Sequence, residues 1–534
     1  MKNLKLLIGF FALMVTLSLF AQTVDIEWGP FIDLPKKSQF EKIAGFDRDF
    51  FFAYRSEKSE DIHQSQIWLD KFSAGTMQQE ITVEIKPPKI YTKNALFEDL
   101  FYLNGKLILF SSVIDNIGNR KTLYAQQIDE GGLATGNPKM IGDMPYVAGD
   151  EGGFKFSLSA DKAKIVIEYN MMFNVYGGEP ISFRVVDSEL NISFSKELTL
   201  PLVGKSFEIE QYEVGSSGNV YLAVKTEPQG KKKGAKKGSG PKAARMKYDW
   251  SVYVYNAKKE EFKTYEVIVE KFKPVDLTFA LDKEENIVVF GFLTKKSATE
   301  FCGAYCQKIN PRTEKVLGTA SKDFSKDRKF MAQFKIERNG TDIEQFFNFE
   351  NGKIEFLDNG SAVFLTEQTY ETTRIMVDPK TKAETVIHYY NNNDIIAVSA
   401  SYDNKIEWVT RIPKCQFSTN DFGYYSSFAV ANYANKVKVL FNDHPRNLKN
   451  NEPEKTKQIK NNVASNPEGA AVVVTLFPDG NTDKALLFGE DDSKTSLCPR
   501  LFFNSGSNFI IYGEKGNVPI PLPQKYKWGN FFFE

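Results

Sequence analysis

Short apolar runs recur along the whole chain, each opened by a turn of Asp, Asn or Gly and followed by a loop and a second apolar run. Residues 49–55 and 66–72 make one such couple, and 105–111 with 122–128, 163–169 with 181–186 and 219–225 with 250–255 repeat it. Four further runs open the same way, at 286–293, 361–368, 436–442 and 508–513. Runs of this length bounded by turn formers read as strands, and starts spaced some tens of residues apart have the period of blade-like repeats. No long stretch repeats apolar residues at i, i+3, i+4 and i+7 between helix caps, so the crossover helices of a parallel α/β sheet are not expected. The pattern predicts an all-β fold: a single β-propeller of roughly seven or eight four-stranded blades, which leaves no long sheet edge open. Residues 26–34 read as an outer strand and 500–513 as the inner strands of an unfinished blade, so pairing of the two termini is expected to close the ring.

Three segments depart from this rhythm. Lys2 and Lys5 precede the apolar run 6–20 and Ala21, the layout of a cleavable secretory signal. That run is shorter than the roughly 20 residues that span a bilayer. The expected division is therefore a signal peptide at 1–21 and a propeller at 22–534, with no transmembrane segment after cleavage. Between 230 and 247 the chain carries Lys231, Lys232, Lys233, Lys236, Lys237, Lys242, Arg245 and Lys247 among glycines and alanines with no acidic residue. Residues 443–469 are rich in Asn, Lys and Pro. Neither insertion has the apolar content to order itself, so both are expected to be mobile loops.

Composition supports a packed core: of 534 residues 42% are hydrophobic and 14% aromatic, with 45 Phe and 23 Tyr. Lys and Arg (68) balance Asp and Glu (68), so there is no overall field to gather nucleic acid or an anionic membrane. The cationic segment 230–247 is the local exception, a candidate for weak polyanion contact whose simpler reading is a solvated loop. Four cysteines are few for an exported chain of this length. Cys415 with Cys498 is one candidate disulfide; Cys302 with Cys306 is another if Gly303 turns the chain between them. The histidines His63, His388 and His444 are scattered, and no metal or other cofactor is expected.

Asp479, Asn481, Asp483 and Glu490 have the spacing of a calcium loop, but Lys484 stands where that loop needs glycine and strands flank it, so a hairpin turn is the expectation. The nucleophile elbow Gly-x-Ser-x-Gly does not occur, and no catalytic residue is assigned. Ser401-Tyr402-Asp403-Asn404-Lys405-Ile406-Glu407-Trp408 resembles the Asp-box hairpin of sialidases and related propellers, with Lys405 in place of its glycine. From Asn393-Asp394-Ile395-Ile396 through Trp408 to Ile412-Pro413-Lys414-Cys415-Gln416, the chain resembles exported β-propeller proteins of Bacteroidetes bacteria. That resemblance implies a propeller in the cell envelope: periplasmic, attached to the outer membrane or released. The function expected is a binding or scaffold module for an envelope protein or surface glycan, with no specific nucleic acid partner. The alternative is a carbohydrate-active hydrolase or lyase with its site in the central depression, where loops from several blades converge.

Overall fold

A computed structural model describes residues 24–533 except 58–61, 147–151, 160–161, 171–179, 201, 203–206, 228–247, 296–300, 328–329, 331–334, 339–340, 345–348, 450–455, 461–468, 489–494, 505–508 and 516–523. The signal segment 1–21 and the cationic insertion 230–247 lie outside the described residues.

The fold is all-β and propeller-like. Among the described residues, eight sheets of four or more strands follow one another along the chain. The first is Ser38–Phe46, Phe50–Glu57, Ile67–Ser73 and Gln79–Ile85; the second is Leu96–Leu103, Lys106–Asp115, Arg120–Ile128 and Lys139–Pro145. The third runs Gly153–Leu158, Ile165–Asn170, Pro180–Val186 and Ile192–Thr199, and the fourth Phe207–Val214, Val220–Thr226, Asp249–Asn256 and Glu261–Glu266. In the fifth, the short strands Phe272–Pro274 and Thr278–Leu281 both pair with Ile287–Lys295, followed by Phe301–Asn310 and Lys315–Asp323. The sixth holds Phe349–Phe356, Ala362–Val377, Glu384–Ala400 and Ile406–Ile412, joined at one end by Gln416–Thr419 and Ile459–Lys460. The seventh is Ala429–Tyr433, Lys436–Asp443, Ala470–Leu476 and Thr482–Phe488. The eighth joins Thr495–Leu497, Phe509–Lys515 and Lys525–Phe533 to the N-terminal strand Val24–Trp28, which pairs antiparallel with Lys525–Phe533.

Turn chemistry sets the register within sheets. Asn104-Gly105, both at positive φ (50° and 79°), make the two-residue hairpin that twists with its strands. Middle strands such as Val220–Thr226 and Ile287–Lys295 are buried along nearly their whole length, because neighbouring sheets cover both faces. Between sheets lie eight clusters of buried apolar side chains, each drawn mainly from two successive sheets. One joins Phe52, Tyr54 and Leu69 of the first sheet to Phe97, Leu100 and Leu109 of the second. Another joins Tyr512, Tyr526 and Trp528 of the eighth to Phe40, Phe51 and Phe72 of the first, with Phe40 and Trp528 packed edge to face at 5.4 Å.

The structure differs from the expected pattern in four places. The N-terminal strand does not pair with 500–513, because Lys525–Phe533 lies between Val24–Trp28 and Phe509–Lys515. The insertion 443–469 is anchored in its described parts by buried polar bonds together with Leu448 and Ile459: Asp443 and Asn447 are buried, and Asn447 Nδ2 donates to Asp443 (2.7 Å) and to the Lys457 carbonyl (2.9 Å). Cys415 and Cys498 are thiols, not a disulfide. Cys415 sits beside the buried Lys414, whereas the Cys498 Sγ donates to the Tyr424 carbonyl at 3.1 Å and precedes the turn Pro499–Leu501. Cys302 and Cys306 stay on one continuous strand, which bulges at Cys302 but does not reverse, with Gly303 against the Lys322 carbonyl of the next strand; burial pushes the Cys306 thiol up to about 12.

Candidate functional site

The strand Phe207–Val214 brings Glu208, Glu210 and Gln211 to one end of the fourth sheet. Its pairing slips between Ile209 and Gln211, a bulge that leaves Glu210 out of the ladder. A second bulge, between Glu350 and Lys353, puts Gly352 opposite the fifth sheet. A Cβ at Gly352 would lie 2.5 Å from Thr278 Oγ1 and 2.9 Å from the Phe364 ring, so only glycine permits this approach. The two irregular strands border a groove of about 540 Å³ that also takes in Lys225, Tyr248, Trp250, Asp276 and Thr366.

Charge in the groove is organised around Lys225. Its ammonium donates to Glu208 at 2.7 Å and also to Glu210. Burial alone would lower the Lys225 ammonium, but the two carboxylates more than offset this and hold it above the usual lysine range. Each carboxylate has lone pairs left over to accept further hydrogen bonds. Gln211 spends both ends of its amide on the backbone of Phe279 (2.7 and 3.0 Å) and ties the fourth sheet to the fifth. Tyr248 lies 5.3 Å beneath the Lys225 ammonium, and Trp250 is 8% exposed with its indole N–H unpartnered. The wall thus combines aromatic faces and acceptors.

The residues singled out in the sequence fall elsewhere. Ser401 to Trp408 do form a hairpin: Ser401 Oγ donates to Asp403 (2.5 Å), and Asn404, not Lys405, takes the left-handed conformation (φ 61°). Trp408 Nε1 donates to the Pro478 carbonyl in the next sheet, at 2.8 Å. Asp479 accepts from the Asn481 backbone N–H (3.0 Å) in the turn between Ala470–Leu476 and Thr482–Phe488, as expected of a hairpin. Asp394, Lys414 and Gln416 belong to a buried seam between sheets: Lys414 pairs with Glu367, Arg411 with Asp394, and Gln416 donates to the Asn442 carbonyl at 2.8 Å. Among the described residues, no three or more His, Cys, Asp or Glu side chains converge as metal ligands.

Sequence reading missed the groove. Its only local signals are the alternation Glu208-x-Glu210 on a strand and the aromatics Tyr248 and Trp250, which the chain separates by 37 residues and more and the fold brings together.

No protein-family description matches the chain, and neither does any curated protein. Among solved structures it is similar to the α-L-arabinanase of Penicillium chrysogenum complexed with arabinobiose, at 11% identity, covering 73% of this chain and 98% of that one with a TM-score of 0.30. It is also similar to an ulvan lyase, at 9% identity, 88% and 96% coverage and a TM-score of 0.35. A third likeness is to the β-propeller domain of the trilobed protease of Pyrococcus furiosus, at 9% identity, 71% and 94% coverage and a TM-score of 0.31.

Proposed function

We propose that this chain is an exported, closed eight-bladed propeller that recognises a glycan in the groove formed by the fourth, fifth and sixth sheets. Closure is supported by the pairing of Val24–Trp28 with Lys525–Phe533 and by the apolar cluster between the eighth and first sheets. The observation that carries the functional reading is the pair Glu208 and Glu210 held on one ammonium beside Tyr248 and Trp250. Sugars present axial C–H faces to aromatic rings and hydroxyl groups to carboxylates, and the groove's volume falls in the ~300–1,000 Å³ range of small-ligand sites. The setting in the cell envelope rests on Lys2, Lys5 and the apolar run 6–20.

A second reading, a hydrolase or lyase in the same groove, is favoured by one feature. Two carboxylates on the same ammonium lie within reach of the ~5–5.5 Å separation of retaining glycosidases.

Titration of the mature chain with an oligosaccharide panel separates the two. Recognition predicts saturable binding without product, weakened roughly tenfold or more in Glu210→Gln and Tyr248→Ala with the melting temperature retained. New reducing or unsaturated ends, lost in Glu208→Gln, would replace recognition by catalysis. Absence of binding across the panel would remove both readings, and N-terminal sequencing of the secreted protein checks processing after Ala21.

A further inference from the structure

A second depression, of about 480 Å³, opens beside the groove and shares Gly352 with it. Its charge is the reverse of its neighbour's. Lys353 and Arg500 line it together with Ser426 and Ser427, and among the described residues no carboxylate does. In the groove, by contrast, Glu208, Glu210, Asp276 and Glu350 share the lining with Lys225, its one cation among the described residues.

Both cations are positioned with donors to spare. The Lys353 ammonium gives one hydrogen bond, to the Phe428 carbonyl at 2.9 Å, of the three it has. Burial draws it below the usual lysine range, against the opposing pull of Glu367 and Glu355. Arg500 is fixed along one edge, with Nη2 donating to the Phe40 carbonyl (3.2 Å) and to Glu41 (2.9 Å) and its plane 4.1 Å over Tyr424. A guanidinium has five donors in a planar fork, which suits carboxylate and sulfate oxygens.

The loop that covers this depression is strained. Asn420, Phe422 and Ser427 hold φ at 51°, 53° and 71°, a conformation rare for a bulky residue and concentrated at ligand sites. Its effect is to leave the Phe422 ring 72% exposed, 6.0 Å from Tyr390, which also lines the depression. Cations, hydroxyls and two aromatic faces thus meet in one hollow next to the groove read as glycan-binding.

We propose that this depression is the acidic-sugar subsite of the glycan site: Arg500 and Lys353 hold a carboxylate or sulfate group while Phe422 and Tyr390 pack against its ring. The assignment rests on the glycan-binding reading above.

The test titrates the mature chain with a neutral galactotetraose, with tetragalacturonate and with a sulfated carrageenan tetrasaccharide. One or both acidic ligands should bind roughly tenfold tighter than the neutral one, the worth of a charge-assisted hydrogen bond. The preference should shrink with added salt, and which acidic ligand is preferred tells carboxylate from sulfate. Arg500→Gln and Phe422→Ala should each erase the preference while neutral binding stays; Phe422 is exposed, so its variant, with the melting temperature retained, isolates the effect from folding. Deleting 230–247 should leave the preference intact. Equal binding of all three ligands, a preference that survives both substitutions, or one that vanishes with the deletion overturns the subsite alone. Failure of every ligand to bind overturns the glycan reading, and the subsite with it.

Discussion

Glu213 lies at the far end of the strand that carries Glu208 and Glu210, where burial and then the nearby Glu285 push its carboxyl up to about 7. Glu285 stays below the usual range, since hydrogen bonds from Ser216, Ser217 and Tyr221 outweigh its own burial. An unfolded glutamate titrates near ~4.3, so between that value and about 7 the folded chain holds a proton that the unfolded chain has lost. Stability from this group is therefore complete at low pH and is lost as pH rises through that window. Glu213→Gln should raise the melting temperature at pH 8 and change it little at pH 4.5; parallel pH curves for the two proteins would refute this. Few such details were legible in the chain. Acidic residues are plentiful, and only the fold decides that Glu213 meets Glu285 while Glu208 and Glu210 meet Lys225.

Hairpins were the most legible elements, because their determinants are local: Asn104-Gly105 and the turn before Asn481 do what turn chemistry requires. The joints between sheets were not. Gly480 sits at φ 84° in one hairpin while a Cβ there would meet the Trp408 ring of the sixth sheet at 2.6 Å. Trp408 and Thr410 both bond to backbone carbonyls of that hairpin, at 2.8 Å each. Gly480→Ala is accordingly expected to cost ~1–3 kcal/mol in urea unfolding, from backbone strain and the clash together. In a Trp408→Ala background the clash is gone and the cost should fall; equal costs in both backgrounds would refute the contact. The tryptophan of the Asp-box-like motif is thus a fastening between sheets. The motif carrying the resemblance to exported propellers is likewise structural, since Lys414 and Gln416 are fully buried in the seam that links the sixth sheet to the seventh.

At the scale of the molecule, the N-terminal strand completes the C-terminal sheet. Trp28 packs edge to face with Phe488 at 5.1 Å and lies 4.0 Å from the Lys527 ammonium, so the strand also covers the joint between the seventh and eighth sheets. Deleting residues 22–33 uncovers this joint and leaves Lys525–Phe533 as an open edge. The truncated chain should melt several degrees lower, roughly as a loss of a few kcal/mol predicts, and a peptide of residues 22–34 added in trans should restore the midpoint. An unchanged melting temperature would show that the terminal strand does not fasten the molecule.

By itself the sequence determined the all-β class, the strand couples and the turns, because alternation and turn chemistry act over a few residues; that the N-terminal strand would pair with Lys525–Phe533 rather than with 500–513 was decided by the fold. Tertiary structure decided which cysteines stay thiols, where polar groups order an apolar-poor insertion, and how Glu208, Lys225, Trp250 and Glu350 come to share one groove. Those outcomes depend on strands far apart in the chain meeting across sheets, and no local pattern encodes the distance between them.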